Sequence, residues 1–476
     1  MSRVSRARAA SAGSHDVVSP VTGRSLGTVA LWDTPGIHRR LAAVEAANEP
    51  LRRREVLAFL RRLEAEVRSH RERLLDVTVL ETGFILDHAR EMVDGTIEFL
   101  GDFERHAREG SSRERSVPHS YSGQSSRHMT ITHRPYRRVA AMVPQNASFT
   151  LAVTIIASAL YAGARVLIRP SLQCGVSGEA LAEMVERSRP PEGAVLIVNS
   201  LAREFLAACH SADEIELIHY IGSNRHALGV FVEAFAAKKV CLLDGQGNGM
   251  LYVDAGFPLE QAASLIASGA TRYNGETCTS VNGVLVERSR YHALRDRLVA
   301  AFASLHVGDP TREETEIGPL FSRTQAQELI TALRAGGDSR VLCGGTAFGA
   351  YVTPAILEGV TIEDALVREG VFGPALWIQP VRAEERAGWL RANTFPLSDA
   401  ILTRRSHGAQ AFAMESRAAR ICVNADPSIE SMFEPWGGYP PSGMNPVSNW
   451  IDKYRRCYQL DAPEALPPVR SRGRRD

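Results

Sequence analysis

The chemistry-bearing residue of this chain is Cys278, in the run Tyr273-Asn274-Gly275-Glu276-Thr277-Cys278-Thr279-Ser280. This polar stretch joins a helical pattern to the strand-like Val284-Leu285-Val286. Most free cysteines are buried and act as small hydrophobes. A cysteine among small polar residues at a loop-to-strand junction reads instead as a nucleophile, the thiolate being the reactive form. Gly275 lets the backbone approach a ligand closely. A second polar cluster, Pro144-Gln145-Asn146, follows the apolar run Val139 to Val143; alone, Asn146 there reads equally well as a turn former.

The elements that must position these residues are legible in outline. His38 to Leu80 is helical in pattern, with Leu41, Val44, Val56, Leu57, Leu60, Leu63, Val67 and Leu74 on amphipathic faces and a break near Pro50. A further helix is expected over Leu86 to Phe103. Ser111 to Pro135 turns polar and β-compatible, as an extended hairpin would. Strand patterns follow at Val139–Val143, Arg165–Arg169, Ala194–Val198, Glu216–Ile221 and Lys239–Leu243, with helical patterns between them. A second series starts near Gly249, with helices Leu259–Ala267 and Tyr291–Leu305 and strands Val284–Val286, Arg340–Cys343, Ala375–Val381 and Ile421–Asn424. Such alternation predicts βαβ units in parallel sheets covered by helices, with ligands outside the carboxyl ends of the strands.

Composition sets bounds. A chain of 476 residues implies two or three domains. Lys plus Arg (55) balances Asp plus Glu (54), so bulk charge points to neither nucleic acid nor an anionic membrane. Seven scattered cysteines do not form a disulfide framework or a paired zinc pattern, and a reducing cytoplasm is expected. Residues 1–16 are Arg- and Ser-rich at their start, lack an apolar signal core, and read as a disordered tail. No apolar run reaches the roughly 18 residues of a membrane-spanning helix.

Several ordered motifs together resemble one family. Val143-Pro144-Gln145-Asn146 with Ala159-Leu160-Tyr161-Ala162-Gly163 is similar to a Pro-Trp-Asn segment and its following helix. Arg169-Pro170-Ser171 stands where Lys-Pro-Ser is usual, and Tyr220-Ile221-Gly222-Ser223 resembles Phe-Thr-Gly-Ser. Asn274 to Cys278 resembles the nucleophile motif. Val307 to Pro310, Ile317 to Leu320, Phe372-Gly373-Pro374, and Pro435 to Gly438 with Ser442-Gly443 complete the order. From Ser19 to Tyr458 the chain thus resembles a divergent member of the aldehyde dehydrogenase superfamily.

The resemblance implies an α/β fold of two Rossmann-like parallel-sheet domains, one for nucleotide and one catalytic, with a small β oligomerisation arm. Its expected bounds are a nucleotide-binding domain over 17–112 and 137–244, a catalytic domain over 245–441, and an arm over 113–136 and 454–462. It also implies that Cys278 attacks an aldehyde, that the Asn146 amide and the Cys278 N–H hold the oxyanion, and that a thioester follows hydride transfer to NAD or NADP. Arg169, Gly222, Ser223, Arg225 and Phe372 are the implied cofactor contacts. A homodimer or homotetramer is expected, because open strand edges on an arm invite pairing.

Departures from the family pattern leave alternatives open. Leu242-Leu243-Asp244-Gly245-Gln246-Gly247-Asn248 stands at the Glu-Leu-Gly-Gly-Lys segment, and aligning the first Gly puts Leu243 at the general-base glutamate. Asp244 serves in its place only if the strand shifts, since adjacent side chains face opposite sides. Arg169 for Lys, with Leu172 where a ribose-binding acid often sits, leans toward NADP through a bidentate phosphate contact. Gly370 occupies the usual ribose-binding Glu position, one residue after Glu369. Three readings stand: an NAD(P)-dependent aldehyde oxidoreductase; a coenzyme A-acylating enzyme or acyl-thioester reductase, whose thiol acceptor needs less base assistance; and a catalytically impaired scaffold. The pocket loops around Phe149, Thr277/Thr279 and Asn424–Met432, with Glu430, Phe433 and Glu434, do not name the aldehyde.

Overall fold

The computed structural model describes residues 13–44, 51–110, 115–119, 127–335 and 340–462. Two seven-stranded sheets carry the architecture. In the first, the order is Trp436–Gly438, Gly443–Ser448, Val240–Asp244, Ile215–Ile221, Arg138–Met142, Arg165–Arg169 and Val195–Ile197. The last five run parallel, while Gly443–Ser448 pairs antiparallel to Val240–Asp244. Arg138–Met142 is buried at every position, as a strand covered on both faces must be. Helices Arg53–Ser69, Arg71–Thr82, Leu86–Gly110, Ser148–Ala162 and Gly175–Arg187 supply the core on one face, and Thr34–Ala42, Ala202–Ser211 and Asn224–Ala236 supply it on the other. Ser148–Ala162 is apolar nearly all round and correspondingly buried.

The second sheet runs Arg340–Cys343, Ala355–Glu358, Ala375–Val381, Val281–Glu287, Gly249–Val253, Ser398–Leu402 and Arg420–Val423. Only its first strand is antiparallel to its neighbour. Leu259–Thr271 and Tyr291–Ser304 cover one face, and Arg323–Arg334 with three shorter helices covers the other. This is the expected α/β fold of two helix-covered sheets. A third, three-stranded sheet joins Arg455–Ala462, Arg127–Pro135 and Arg115–His119, all antiparallel, in the segments assigned to the arm.

Several expectations need correction. The helical stretch 38–80, expected to break near Pro50, is three helices, with a further break at His70 and the first helix beginning at Thr34, where Asp33 caps the Gly36 N–H at 2.8 Å and Pro35 occupies the first turn. Residues 13–16, assigned to a disordered tail, belong to strand Gly13–Val18, which pairs with Ser25–Leu31; residues 1–12 of that tail lie outside the described residues. Trp436–Gly438, placed in the catalytic domain by the 245–441 bound, returns to the first sheet. Strands Gly249–Val253, Ala355–Glu358 and Ser398–Leu402 went unassigned, because short runs buried at nearly every position lack the alternation that marks a strand.

Strand register explains how distant motifs meet. Met142 pairs with both Arg169 and Tyr220, and Tyr220 pairs with Leu243. The segments that follow, 143–146, 170–171, 222–223 and 245–248, therefore leave the first sheet along one carboxyl edge.

Candidate active site

The nucleophile loop is built from three consecutive residues in the left-handed region, Tyr273, Asn274 and Gly275, at φ 51, 56 and 68°. Asn tolerates this conformation better than most residues, and Gly does so freely. Asn274 is fully buried and fixes the turn: its Nδ2 donates to the Gly83 and Pro319 carbonyls at 3.2 and 3.1 Å, and its Oδ1 accepts from Gly318 N at 2.9 Å. Gly275 accepts from Gly373 N at 3.1 Å, and a Cβ on Gly275 would strike the Gly373 carbonyl. The Ile317–Leu320 and Phe372–Pro374 motifs are thus the walls of the nucleophile loop. Gly247 packs so closely on the Cys278 carbonyl oxygen that a Cβ would collide with it.

Asn146 reaches this loop from the edge of the first sheet. Its Nδ2 donates to the Glu276 carbonyl at 3.0 Å, two residues before Cys278. The two residues singled out for carbonyl chemistry are brought together across 130 positions of sequence.

Burial pushes the Cys278 thiol well above its usual range, and the Glu430 and Asp244 carboxylates push it further. The resting thiol is therefore neutral and must lose its proton before it can act as a nucleophile. Burial likewise holds the Glu276 carboxyl well above the carboxylate range. Its Oε1 accepts from Gln325 Nε2 at 2.8 Å and Phe321 N at 3.4 Å, and Oε2 has no partner among the described residues. A carboxyl so enclosed is cheapest when neutral.

The Leu243–Asp244 strand end keeps regular pairing, Tyr220 with Leu243 and Ile221 with Asp244. Leu243 is buried in the core shared with Tyr220, Ala227 and Val230. Asp244 faces the other way into a buried polar cluster. Its Oδ2 contacts His219 Nε2 at 2.6 Å, and Asn445 Nδ2 donates to its two oxygens at 2.9 and 2.8 Å. His219 Nδ1 lies 2.9 Å from the Tyr454 hydroxyl. Lys453 completes the cluster, donating to Asn445 Oδ1 at 2.8 Å and the Trp436 carbonyl at 2.6 Å; burial brings its ammonium down to about 8, with Asp244 opposing. The strand shift that would free Asp244 does not occur.

Of the residues expected at the cofactor, Arg169, Gly222, Ser223 and Arg225 lie along the same carboxyl edge, and Phe372 lies just before strand Ala375–Val381 of the second sheet. Arg169 Nε donates to the Ser200 carbonyl at 2.9 Å, and burial lowers its guanidinium to about 10, so it stays charged at neutral pH. Gly222 precedes Ser223, whose side chain accepts from Arg225 N at 3.3 Å and caps the 13-residue helix Asn224–Ala236. That helix N-terminus, with Arg225 exposed beside it, has the donors and dipole that suit a phosphate. Phe372 is 39 % exposed, next to the Gly373 that holds the nucleophile loop. The ribose end differs. Gly370 has φ +72°, and a Cβ there would sit 2.7 Å from Asn248 Oδ1 and 2.8 Å from Asn282 Oδ1, so this backbone has no room for an acidic side chain. The helix N-terminus thus offers donors and a dipole for a phosphate, whereas the space beside Gly370 is filled by the buried side chains of Asn248 and Asn282.

Comparison with known proteins identifies the family. The model of the aldehyde dehydrogenase family matches residues 7–461. The chain belongs to the aldehyde dehydrogenase family. As a member of that family it is an oxidoreductase. It is 26% identical over 438 residues to a putative aldehyde-dehydrogenase-like protein of Sinorhizobium fredii, covering 90% of this chain and 84% of that one. It is 26% identical over 426 residues to the peroxisomal aminoaldehyde dehydrogenase 1 of Pisum sativum, covering 87% and 83%. Among solved structures, the NAD+ complex of an aldehyde dehydrogenase from Bacillus cereus superposes with a TM-score of 0.87 at 22% identity over 94% of this chain and 93% of the other. A glyceraldehyde-3-phosphate dehydrogenase from Methanocaldococcus jannaschii complexed with NADP gives 0.85 at 19%, over 94% and 99%.

Sequence reasoning missed three parts of the aldehyde dehydrogenase site. Asn274 was quoted only as a motif letter, though an Asn-Gly pair in a polar loop signals left-handed backbone. The His219–Asn445–Lys453 cluster around Asp244 had one weak signal, the isolation of Lys453 as one of only three lysines. Glu430 was named only among the residues of the pocket loops.

Proposed function

We propose that this aldehyde dehydrogenase oxidises an aldehyde to an acid with NAD(P) through covalent intermediates on Cys278. The observation that carries this is the Asn146–Glu276 hydrogen bond, which holds an amide donor at the nucleophile loop. The Cys278 sulfur adds to the aldehyde carbon, and the oxyanion of the resulting thiohemiacetal takes hydrogen bonds from the Asn146 amide and the Cys278 N–H. A nicotinamide dinucleotide, when bound, supplies the hydride acceptor. Its phosphates would be held by the helix N-terminus at Gly222-Ser223, by Arg225 and by Arg169, with Phe372 toward the nicotinamide end. Arg169 favours NADP, because its Nε is spent on Ser200 and its outer nitrogens suit a 2′-phosphate. Hydride loss leaves a thioester, which water cleaves to the acid.

A second reading, acyl transfer to coenzyme A, draws support from Leu243 lying in the core and Asp244 being engaged by His219 and Asn445. Purified protein incubated with an aldehyde panel and NAD or NADP, with and without coenzyme A and beside Cys278→Ala, separates the readings. Acid and reduced cofactor without coenzyme A support the first, and turnover that requires coenzyme A supports the second. Failure to bind either nucleotide by fluorescence titration would overturn both in favour of a scaffold.

The assembly we propose is a homodimer or homotetramer. Among the described residues the arm strand Arg115–His119 is an edge strand of its sheet, and Leu228, Val232 and Phe235 line one exposed stripe of helix Asn224–Ala236 at 73, 56 and 77 % exposure. Light scattering showing a monomer at micromolar concentration would refute this. The cysteines of the described residues are all unpaired, which supports a reducing compartment such as the cytoplasm; no described helix is long and apolar enough to cross a membrane.

A further inference from the structure

The hydroxyls of a nicotinamide ribose call for an acceptor, and position 370 has no side chain and no room for one. Connectivity narrows where such a ribose can be held. In a dinucleotide it joins the nicotinamide ring to the phosphates. Hydride transfer requires the ring close to the carbon held on Cys278, and helix Asn224–Ala236 offers its N-terminus to the phosphates. The protein segment that runs between those two places is Gly245-Gln246-Gly247. The Gln246 N–H donates at 2.9 Å to the side-chain Oδ1 of Asn224, the first residue of the helix, and Gly247 packs on the Cys278 carbonyl oxygen with no space for a Cβ. Of these three residues Gln246 alone carries a side chain.

That side chain reaches the loop of Gly370. Three amides hold this loop by alternate carbonyls: Asn248 Nδ2 donates to Val367 at 2.9 Å, Gln246 Nε2 to Glu369 at 2.8 Å, and Asn282 Nδ2 to Val371 at 3.0 Å. Asn248 and Asn282 are 0 and 3 % exposed, which closes them to a ligand. Gln246 is half-buried, and its bond to Glu369 lies at the surface. A carbonyl oxygen only accepts, so this bond fixes which end of the amide is nitrogen. Oε1 is left as an acceptor with no protein partner among the described residues.

We propose that Gln246 holds the nicotinamide ribose, its Oε1 accepting from a ribose hydroxyl, in place of the carboxylate that position 370 lacks. The proposal rests on the nucleotide reading above. Gln246 is fixed at both ends, its backbone by Asn224 and its amide by Glu369, so little side-chain freedom is left to lose when a ligand binds. A carboxylate would accept about twice as strongly as this neutral amide, so the contact is a modest one. The same residue ties the phosphate-binding helix to the loop of Gly370, one position before the glycine that packs on Cys278.

A binding titration tests this without aldehyde or turnover. NADH or NADPH, whichever the wild type takes, is compared by its fluorescence with an analogue whose nicotinamide ribose lacks its hydroxyls. The wild type should bind the hydroxylated form about fivefold more tightly, the worth of one net hydrogen bond between neutral groups. Gln246→Ala, and Gln246→Met as a variant of equal side-chain length, should bind the two forms within about twofold of each other, as a double-mutant cycle requires of a direct contact. A wild type that does not discriminate, discrimination retained in either variant, or tighter binding of the hydroxylated form by the variants would overturn the assignment. Discrimination lost in Glu369→Gln and kept in Gln246→Ala would move the role to the neighbouring acid and overturn it likewise. A wild type that binds neither dinucleotide would instead remove the nucleotide reading, and this proposal with it.

Discussion

Replacing Asn274 by Ala removes three hydrogen bonds from the buried turn that aims Cys278. The Gly318 N–H loses its acceptor, and the Gly83 and Pro319 carbonyls lose a shared donor. An orphaned buried group costs about 1–3 kcal/mol, so one donor and two acceptors, toward the low end of that range, together come to about 4 kcal/mol. Ala at φ 56° adds about 1 kcal/mol, because it lacks the tolerance of Asn for left-handed backbone. The expected loss is therefore about 5 kcal/mol, concentrated in the catalytic domain. Urea unfolding followed by tryptophan fluorescence, which includes Trp377 and Trp389 of that core, reads it as a lowered midpoint; with several separate cores in the chain the transition is compared segment by segment and not as one global free energy. Alkylation of Cys278 by iodoacetamide gives a local readout, and should accelerate as the loop loosens. Asn274→Asp keeps an acceptor for Gly318 but sets a carboxylate oxygen against two carbonyls, so it should be at least as damaging. A loss under about 1 kcal/mol with unchanged alkylation would refute the claim that this side chain holds the nucleophile loop.

Glu276→Gln should flatten the pH dependence of stability. The folded carboxyl is raised, so its contribution is fully present below the unfolded value of 4.5 and is lost as pH rises toward the folded value; thermal unfolding at pH 5 and pH 8 should differ less in the variant than in the wild type. Lys453→Met leaves the Asp244 cluster without its buried cation and should destabilise the protein by about 3 kcal/mol, measured by calorimetry. Gly247→Ala should nearly abolish turnover while leaving nucleotide binding intact, because its Cβ would displace the Cys278 carbonyl; kcat and a nucleotide titration check the two halves.

Much of the architecture was readable from the strand and helix alternation, because parallel strands buried on both faces form apolar runs that stand out between amphipathic helices. The runs at Gly249–Val253 and Ser398–Leu402 escaped for the same reason in reverse: they are short, wholly buried, and without alternation. Cys278 and Asn146 were legible because a nucleophile and an amide at strand ends leave local polar clusters in sequence. The partners of Asp244 were not, since His219, Asn445 and Lys453 converge from three segments whose meeting depends on tertiary pairing.

The account turns on a covalent acyl group at Cys278. Acid-quenched protein, sampled during turnover of an aldehyde with NADP or NAD and analysed by mass spectrometry after proteolysis, should carry the substrate's acyl mass on the peptide containing Cys278, and Cys278→Ala should carry none and form no reduced cofactor. Reduced cofactor formed by Cys278→Ala, or an acyl group found on another residue, would contradict it.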